Sequence, residues 1–184
     1  MAKVLIPLAA GCEELEAVTI IDLMRRAQLE VVTASLTTDL AVKASRGVTL
    51  LADTTLDNVV VADFAMVVMP GGQPGTDNLN ADSRVHQLLK SMAAADKWLA
   101  AICAAPLVLA HAGLLDGYRA TAYPCALTTA DWPQIQLCDD AVVTHGKRVT
   151  SRGPGTAMDF ALTLIELLTD QVTHDKVAAG LVRS

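Results

Sequence analysis

Between Trp98 and Leu115 the chain reads WLAAICAAPLVLAHAGLL, without one formally charged residue. A run of this length and character has two homes, the interior of a bilayer or the interior of a protein. Pro106 and His111 interrupt it, and alanine supplies much of its apolar character. A continuous spanning helix fits that poorly, whereas a buried strand, a sharp turn and a buried helix fit it well. The fold must then enclose the segment, which calls for a sheet covered on both faces. Cys103 sits at the turn. It is either a small apolar residue filling space or a nucleophile presented at the end of a strand.

The 184 residues suffice for one sizeable core, so residues 1–184 are read as a single domain. Hydrophobic residues make up 52% and aromatics only 3%, so Ala, Val, Leu and Ile must build that core. Such a mixture suits parallel strands buried between alanine-rich helices. The net charge of −6 argues against nucleic acid, whose phosphates attract basic faces, and suits a soluble cytoplasmic protein. The cysteines Cys12, Cys103, Cys125 and Cys138 form no CxxC and have no zinc spacing with histidine, so neither a metal site nor a disulfide framework is expected. MAKVLIPLAAG is too short an apolar run for a signal peptide and is followed by EELE; a first buried strand explains it better.

Alternating apolar runs and amphipathic segments give the rest. Strands are expected at Lys3–Leu8, Leu29–Leu36, Gly47–Asp53, Phe64–Pro70, Trp98–Ile102 and, more briefly, Tyr118–Ala122. AVVTHGKRVTS reads as a hairpin turning at His145–Gly146. Helices are expected at Glu13–Ala27, Asp82–Ala95, after Cys103 from about Pro106, from the GPGT segment to Leu168, and at Asp170–Val182. This order predicts one α/β domain with a mostly parallel sheet and helices on both faces. Ligands in such folds bind beyond the carboxyl ends of the strands, where Gly11, Gly71, Gly72 and Cys103 all fall.

A nucleophile elbow needs small residues two positions either side of the nucleophile, and here these are Ala101 and Ala105. A helix N-terminus just beyond the sulfur would lower the thiol pKa. Spacing alone leaves packing and chemistry both open. None of His86, His111, His145 and His174 is placed as an obvious base, which argues against a protease or amidase triad. GCEELEAV offers acids instead. First-turn acids ordinarily stabilise a helix and face solvent. Glu16 differs, lying where the helix turns inward; beside a thiolate it should be protonated and donate to sulfur.

The segments LAAGCEELEAVTIIDLMRRA, SRGVTLLAD, VVMPGG, AAICAAP and TSRGPGTAMDFAL together resemble the ThiJ/PfpI superfamily, from Lys3 to about Leu168. Within it they look most like the branch of the Parkinson-associated protein deglycase and bacterial YajL-like proteins. The resemblance implies a flavodoxin-like three-layer sandwich of the class I glutamine amidotransferase-like type, a homodimer and no cofactor. It places the reactive cysteine on Cys103 and its glutamate on Glu16. The oxyanion-side N–H groups match Gly72 and Ala104. Gly71, Arg46 and Arg26 match the substrate rim, with Tyr123 where some relatives carry histidine. The proteolytic branch has histidine directly after the cysteine; Ala104 stands here, so peptidase activity is not expected. Cys12 has no counterpart in the family pattern, and is either a resolving thiol or a packing residue.

The function implied is a cysteine-dependent glyoxalase or deglycase acting on methylglyoxal, glyoxal or their early adducts. The alternative is a redox sensor or redox-linked chaperone based on oxidation of Cys103. No P-loop or phosphate-cradling glycine motif supports a nucleotide kinase.

Overall fold

The computed structural model describes residues 2–183. Eleven strands are present among them: β1 (Lys3–Leu8), β2 (Glu30–Ser35), β3 (Ala41–Lys43), β4 (Thr49–Leu51), β5 (Thr54–Thr55), β6 (Met66–Met69), β7 (Trp98–Ile102), β8 (Arg119–Ala120), β9 (Gln136–Leu137), β10 (Val142–His145) and β11 (Arg148–Ser151). The helices are α1 (Glu14–Arg26), α2 (Gly75–Ala81), α3 (Ser83–Ala94), α4 (Pro106–His111), α5 (Ala157–Leu168) and α6 (Gln171–Gly180).

Seven strands form one sheet in the order β10-β11-β7-β6-β1-β2-β5, parallel except for β10 at one edge. Strand alternation explains its two buried faces. Val4, Ile6 and Leu8 point to one side with Val68, Ala100 and Ile102, where α1, α5 and Val177 of α6 pack. Leu5, Val67, Met69, Leu99 and Ala101 point to the other, against α3 and α4. The chain order reverses between β1 and β6: β2 and β5 follow on one side, β7 and β11 on the other. Loops that leave the carboxyl ends of these strands open a crevice there. Three of them, after β1, β6 and β7, carry the candidate site.

The structure corrects three expectations. Gly47–Asp53 does not join the main sheet: β4 pairs antiparallel with β3 in a separate hairpin, and Thr54–Thr55 supplies the sheet edge. Gly47, at φ 94°, turns the hairpin instead of starting a strand. The GGQPG loop runs into helix α2, because Pro74 sits ahead of the first turn, where its missing N–H costs nothing. Asp82 lies outside α3 and caps it, its side chain accepting from Arg84 N–H at 2.9 Å. β8 pairs with β9, a strand the residue pattern does not announce, since it is only two residues long.

Leu99, 0% exposed at the centre of β7, tests the packing of the second face. Leu99→Ala is expected to lower unfolding stability by about 2–5 kcal/mol, read as a lower urea midpoint at unchanged m-value. Val172→Ala, at an exposed position of α6, should stay within about 0.5 kcal/mol. Equal effects of the two would contradict the described core.

Candidate active site

Cys103 follows the last residue of β7 with a φ of 65°, the left-handed region that residues bearing a β-carbon avoid. The surroundings impose it. Its N–H donates to the Ser151 carbonyl at 2.9 Å, and its carbonyl accepts from Tyr123 N–H at 2.8 Å. Ala101 and Ala105, both 0% exposed, leave room for the turn. This is the geometry of a strand-to-helix elbow, with the sulfur-bearing residue lifted above the sheet end. A cysteine that merely filled space would not need that backbone strain.

Gly71 is required by the elbow's proximity: a β-carbon there would come within 2.7 Å of Cys103 Cβ. Gly72 has φ 91°, and a β-carbon on it would lie 2.4 Å from Glu13 N. The loop after β6 is thus pressed between the elbow and the loop after β1. Backbone N–H groups of Gly72 and Ala104 reach the Cys103 sulfur and favour its ionised form.

Glu16 comes from the first turn of α1 and is 0% exposed. Its Oε2 accepts from Gly71 N–H at 2.8 Å, while Oε1 has no hydrogen-bond partner among the described residues. The Cys103 thiol lies outside hydrogen-bond geometry to Oε1, yet near enough that each group's titration feels the other. Burial pushes the Glu16 carboxyl up to about 7, against the pull of the Gly71 N–H. Burial, then the Glu16 charge, pushes the Cys103 thiol up to about 12. This direction is opposite to the lowered thiol expected from a helix N-terminus: the Gly72 and Ala104 N–H groups pull it down, and burial outweighs them.

The other acids also depart from expectation. Glu14 is buried and does not face solvent. It accepts from Arg46 N–H at 2.9 Å and from the Ser45 hydroxyl at 3.0 Å. Burial raises its carboxyl, but its own N–H, then the Arg46 N–H, the Ser45 hydroxyl and the Val48 N–H, outweigh this and hold it below the ordinary range. Glu14 therefore pins the tip of the β3–β4 hairpin beside the elbow. The Ser45 hydroxyl is also 3.0 Å from Glu13, so its one proton serves either acid in turn.

A cavity of about 270 Å³ opens over the sulfur. Cys103, Ala104, Gly72, Arg46, Tyr123 and Glu13 are among its walls. Glu16 and Gly71 are not among its walls, and Ser45, Gln73 and Pro154 complete it. The last three went unnoticed in sequence, although Ser45 and Pro154 stand inside the motifs SRG and RGP. Arg26 is not part of the site in this chain. It lies ten residues along α1 from Glu16, about 15 Å at helical rise, and pairs with Asp22 at 2.7 Å. The four histidines do not line the cavity; His145 accepts from Arg119 N–H and His111 packs edge-on against Trp132. Cys12 is 0% exposed in the core, its thiol pushed up to about 11 by burial and then by Glu14. Among the described residues no three His, Cys, Asp or Glu side chains gather as metal ligands, and no helix is long and apolar enough to cross a membrane.

A parallel α/β sandwich that lifts a cysteine at positive φ over a buried carboxyl defines a class of cysteine-elbow proteins. The chain belongs to the DJ-1/PfpI family, whose model matches residues 2–167. It is 41% identical to protein dj-1beta of Drosophila melanogaster over 178 residues, 97% of this chain and 95% of the fly protein. It is 34% identical to glutathione-independent glyoxalase DJR-1.2 of Caenorhabditis elegans, covering 91% of this chain and 88% of that one. The solved structure of oxidized Toxoplasma gondii DJ-1 matches all of both chains, with a TM-score of 0.92 at 40% identity. The flavodoxin-like fold and the family expected from the five motifs are both borne out.

The raised carboxyl of Glu16 has a thermodynamic consequence. Between its ordinary 4.5 and about 7 the folded chain keeps a proton that the unfolded chain releases. Folding stability therefore falls as pH rises through that window, by on the order of 3 kcal/mol. Glu16→Gln removes the dependence. Urea denaturation from pH 4.5 to 7.5 should show the variant gaining on the wild type by about that amount; a constant difference would mean that Glu16 titrates normally.

Proposed function

We propose that this chain is a cofactor-free, cysteine-dependent glyoxalase that converts methylglyoxal to lactate and glyoxal to glycolate, and acts on their early adducts. The observation that carries the reading is the elbow cysteine set against a buried carboxylate with one oxygen unpartnered. The glyoxalase name of the Caenorhabditis elegans relative supports it.

Sulfur of Cys103 adds to the aldehyde carbon while its proton passes to Glu16, a carboxylate whose affinity near neutral pH suits a general base. Charge on the former carbonyl oxygen is held by the Gly72 and Ala104 N–H groups. Glu16 returns the proton to that oxygen, giving a hemithioacetal. The same carboxylate then moves the proton from the aldehyde carbon to the neighbouring carbonyl carbon, while the hemithioacetal hydroxyl proton passes to that carbonyl's oxygen, leaving a 2-hydroxy thioester. Water cleaves the thioester, releasing the hydroxy acid and restoring the thiol. Arg46 at the rim draws the polar end of the substrate, and Tyr123 is a wall, not a base. Exposed Leu15 and Val18 on α1, with Leu51 on the hairpin, supply apolar surface for a homodimer. The acidic charge balance and the free thiols suit the cytoplasm.

The redox-sensor reading uses the same two residues, with oxidation of Cys103 in place of turnover. D-lactate formation from methylglyoxal separates the two. Cys103→Ala should reduce it to background, and Glu16→Gln should lower kcat by about 10²–10⁴-fold with the thiol still present. A wild type that makes no lactate, or a Cys103→Ala variant that does, would sink the enzymatic reading.

A further inference from the structure

A second cavity of about 280 Å³ shares no wall residue with the one over Cys103. Two of the four thiols line it, Cys125 and Cys138, with Leu127, Leu137 and Arg152. Both are free; Cys125 is exposed and Cys138 half-buried.

The local backbone explains how they meet. Tyr123 to Ala126 form a tight turn closed by Ala126 N–H to the Tyr123 carbonyl at 2.9 Å. Pro124 takes its second position and Cys125 its third, with φ 68°. That is the pattern of a type II turn, whose third position favours glycine. Cysteine is held there against its backbone preference, at the surface, facing a cavity. Cys138 follows β9, and its N–H donates to the Ala120 carbonyl at 3.0 Å. Its sulfur lies 3.5 Å from the same carbonyl and 3.9 Å from Arg119 Nη2, at the end of β8. The chain leaves β8 for the Cys125 turn within three residues. Both thiols line this one cavity, and closing a disulfide across it requires the turn to move until the two Cα atoms stand roughly 4.4–6.8 Å apart.

We propose that Cys125 and Cys138 are a second thiol site, a dithiol that closes to an intramolecular disulfide when met by a peroxide or a small disulfide. With hydrogen peroxide, one sulfur attacks oxygen, the O–O bond breaks, and a sulfenic acid and water result. The other sulfur then attacks the sulfenic sulfur and displaces a second water. Two thiols lose two electrons and two protons in all, and peroxide is reduced to two waters. With glutathione disulfide, a mixed disulfide forms first and the second thiol displaces it, releasing two glutathione molecules.

The site reports to the elbow through Tyr123. Its N–H holds the Cys103 carbonyl, its ring walls the Cys103 cavity, and its neighbours Ala122 and Pro124 wall the second one. Bonding the turn to β9 draws Tyr123 away from the elbow. Disulfide formation stands independently of the glyoxalase reading; only this consequence for turnover rests on it.

The first arm of the test uses the full chain carrying Cys103→Ser, treated with hydrogen peroxide. The intact mass should fall by two hydrogens, peptide mapping should find a Cys125–Cys138 link, and dithiothreitol should reverse both. Adding Cys125→Ser or Cys138→Ser should abolish the loss. Absence of the linked peptide, or separate oxidation of each thiol, overturns the site whatever Cys103 does. In the second arm, glutathione disulfide should lower wild-type lactate formation about tenfold, since misplacing reacting groups by 1 Å costs up to 10²-fold. Cys125→Gly should keep the reduced-state rate and not respond. A link formed with no change in rate overturns the coupling to Cys103.

Discussion

One hydrogen bond, from Gly71 N–H to Glu16 Oε2 at 2.8 Å, joins the parts on which the site depends. It ties the first turn of α1 to the loop after β6, directly beneath the elbow after β7. A charged carboxyl with 0% exposure is costly unless something compensates it. One backbone donor compensates half of it. The remaining oxygen has no partner among the described residues, so the cost of burial becomes proton affinity beside the elbow.

The remainder of the architecture serves this arrangement through close approach. Three strand-end loops converge only because glycines at 71 and 72 remove side chains from the contact and alanines at 101 and 105 narrow the elbow. The β3–β4 hairpin reaches over from outside the main sheet. It is anchored by Gly11 N–H to the Lys43 carbonyl and Ser45 N–H to the Cys12 carbonyl, both at 2.8 Å, and by the Glu14 carboxylate. Arg46 thus reaches the rim by backbone tethering rather than by a side-chain ion pair. The two cores on either face of the sheet hold the strand ends in register, so the loops start from fixed points.

Much of this was legible in the residues. Apolar runs such as VLIPL and WLAAI can only be buried strands, and the elbow spacing around Cys103 was visible in AAICAAP. What escaped had physical causes. Helix α2 hides behind Pro74 and Gly75, which read as breakers when seen without their neighbours. Glu14 looked like an ordinary dipole-stabilising acid, because its true partners lie about thirty positions away on the hairpin. The surroundings of the Cys103 thiol are hidden for a related reason. Helix dipoles are suggested by local sequence, whereas desolvation is set by everything that packs around a group. Arg26 was placed at the rim by motif likeness, and the length of α1 carries it elsewhere in its own chain.

The main sheet ends on one side in β5, a strand of only two residues, and on the other in the four-residue antiparallel β10. An unpaired strand edge is an open template for a second polypeptide, and short edges offer little of it. A fold with a core this rich in Val, Leu and Ala is composed of segments prone to fibrillar pairing once exposed. What opposes that pairing is how little of the sheet's rim is left to copy.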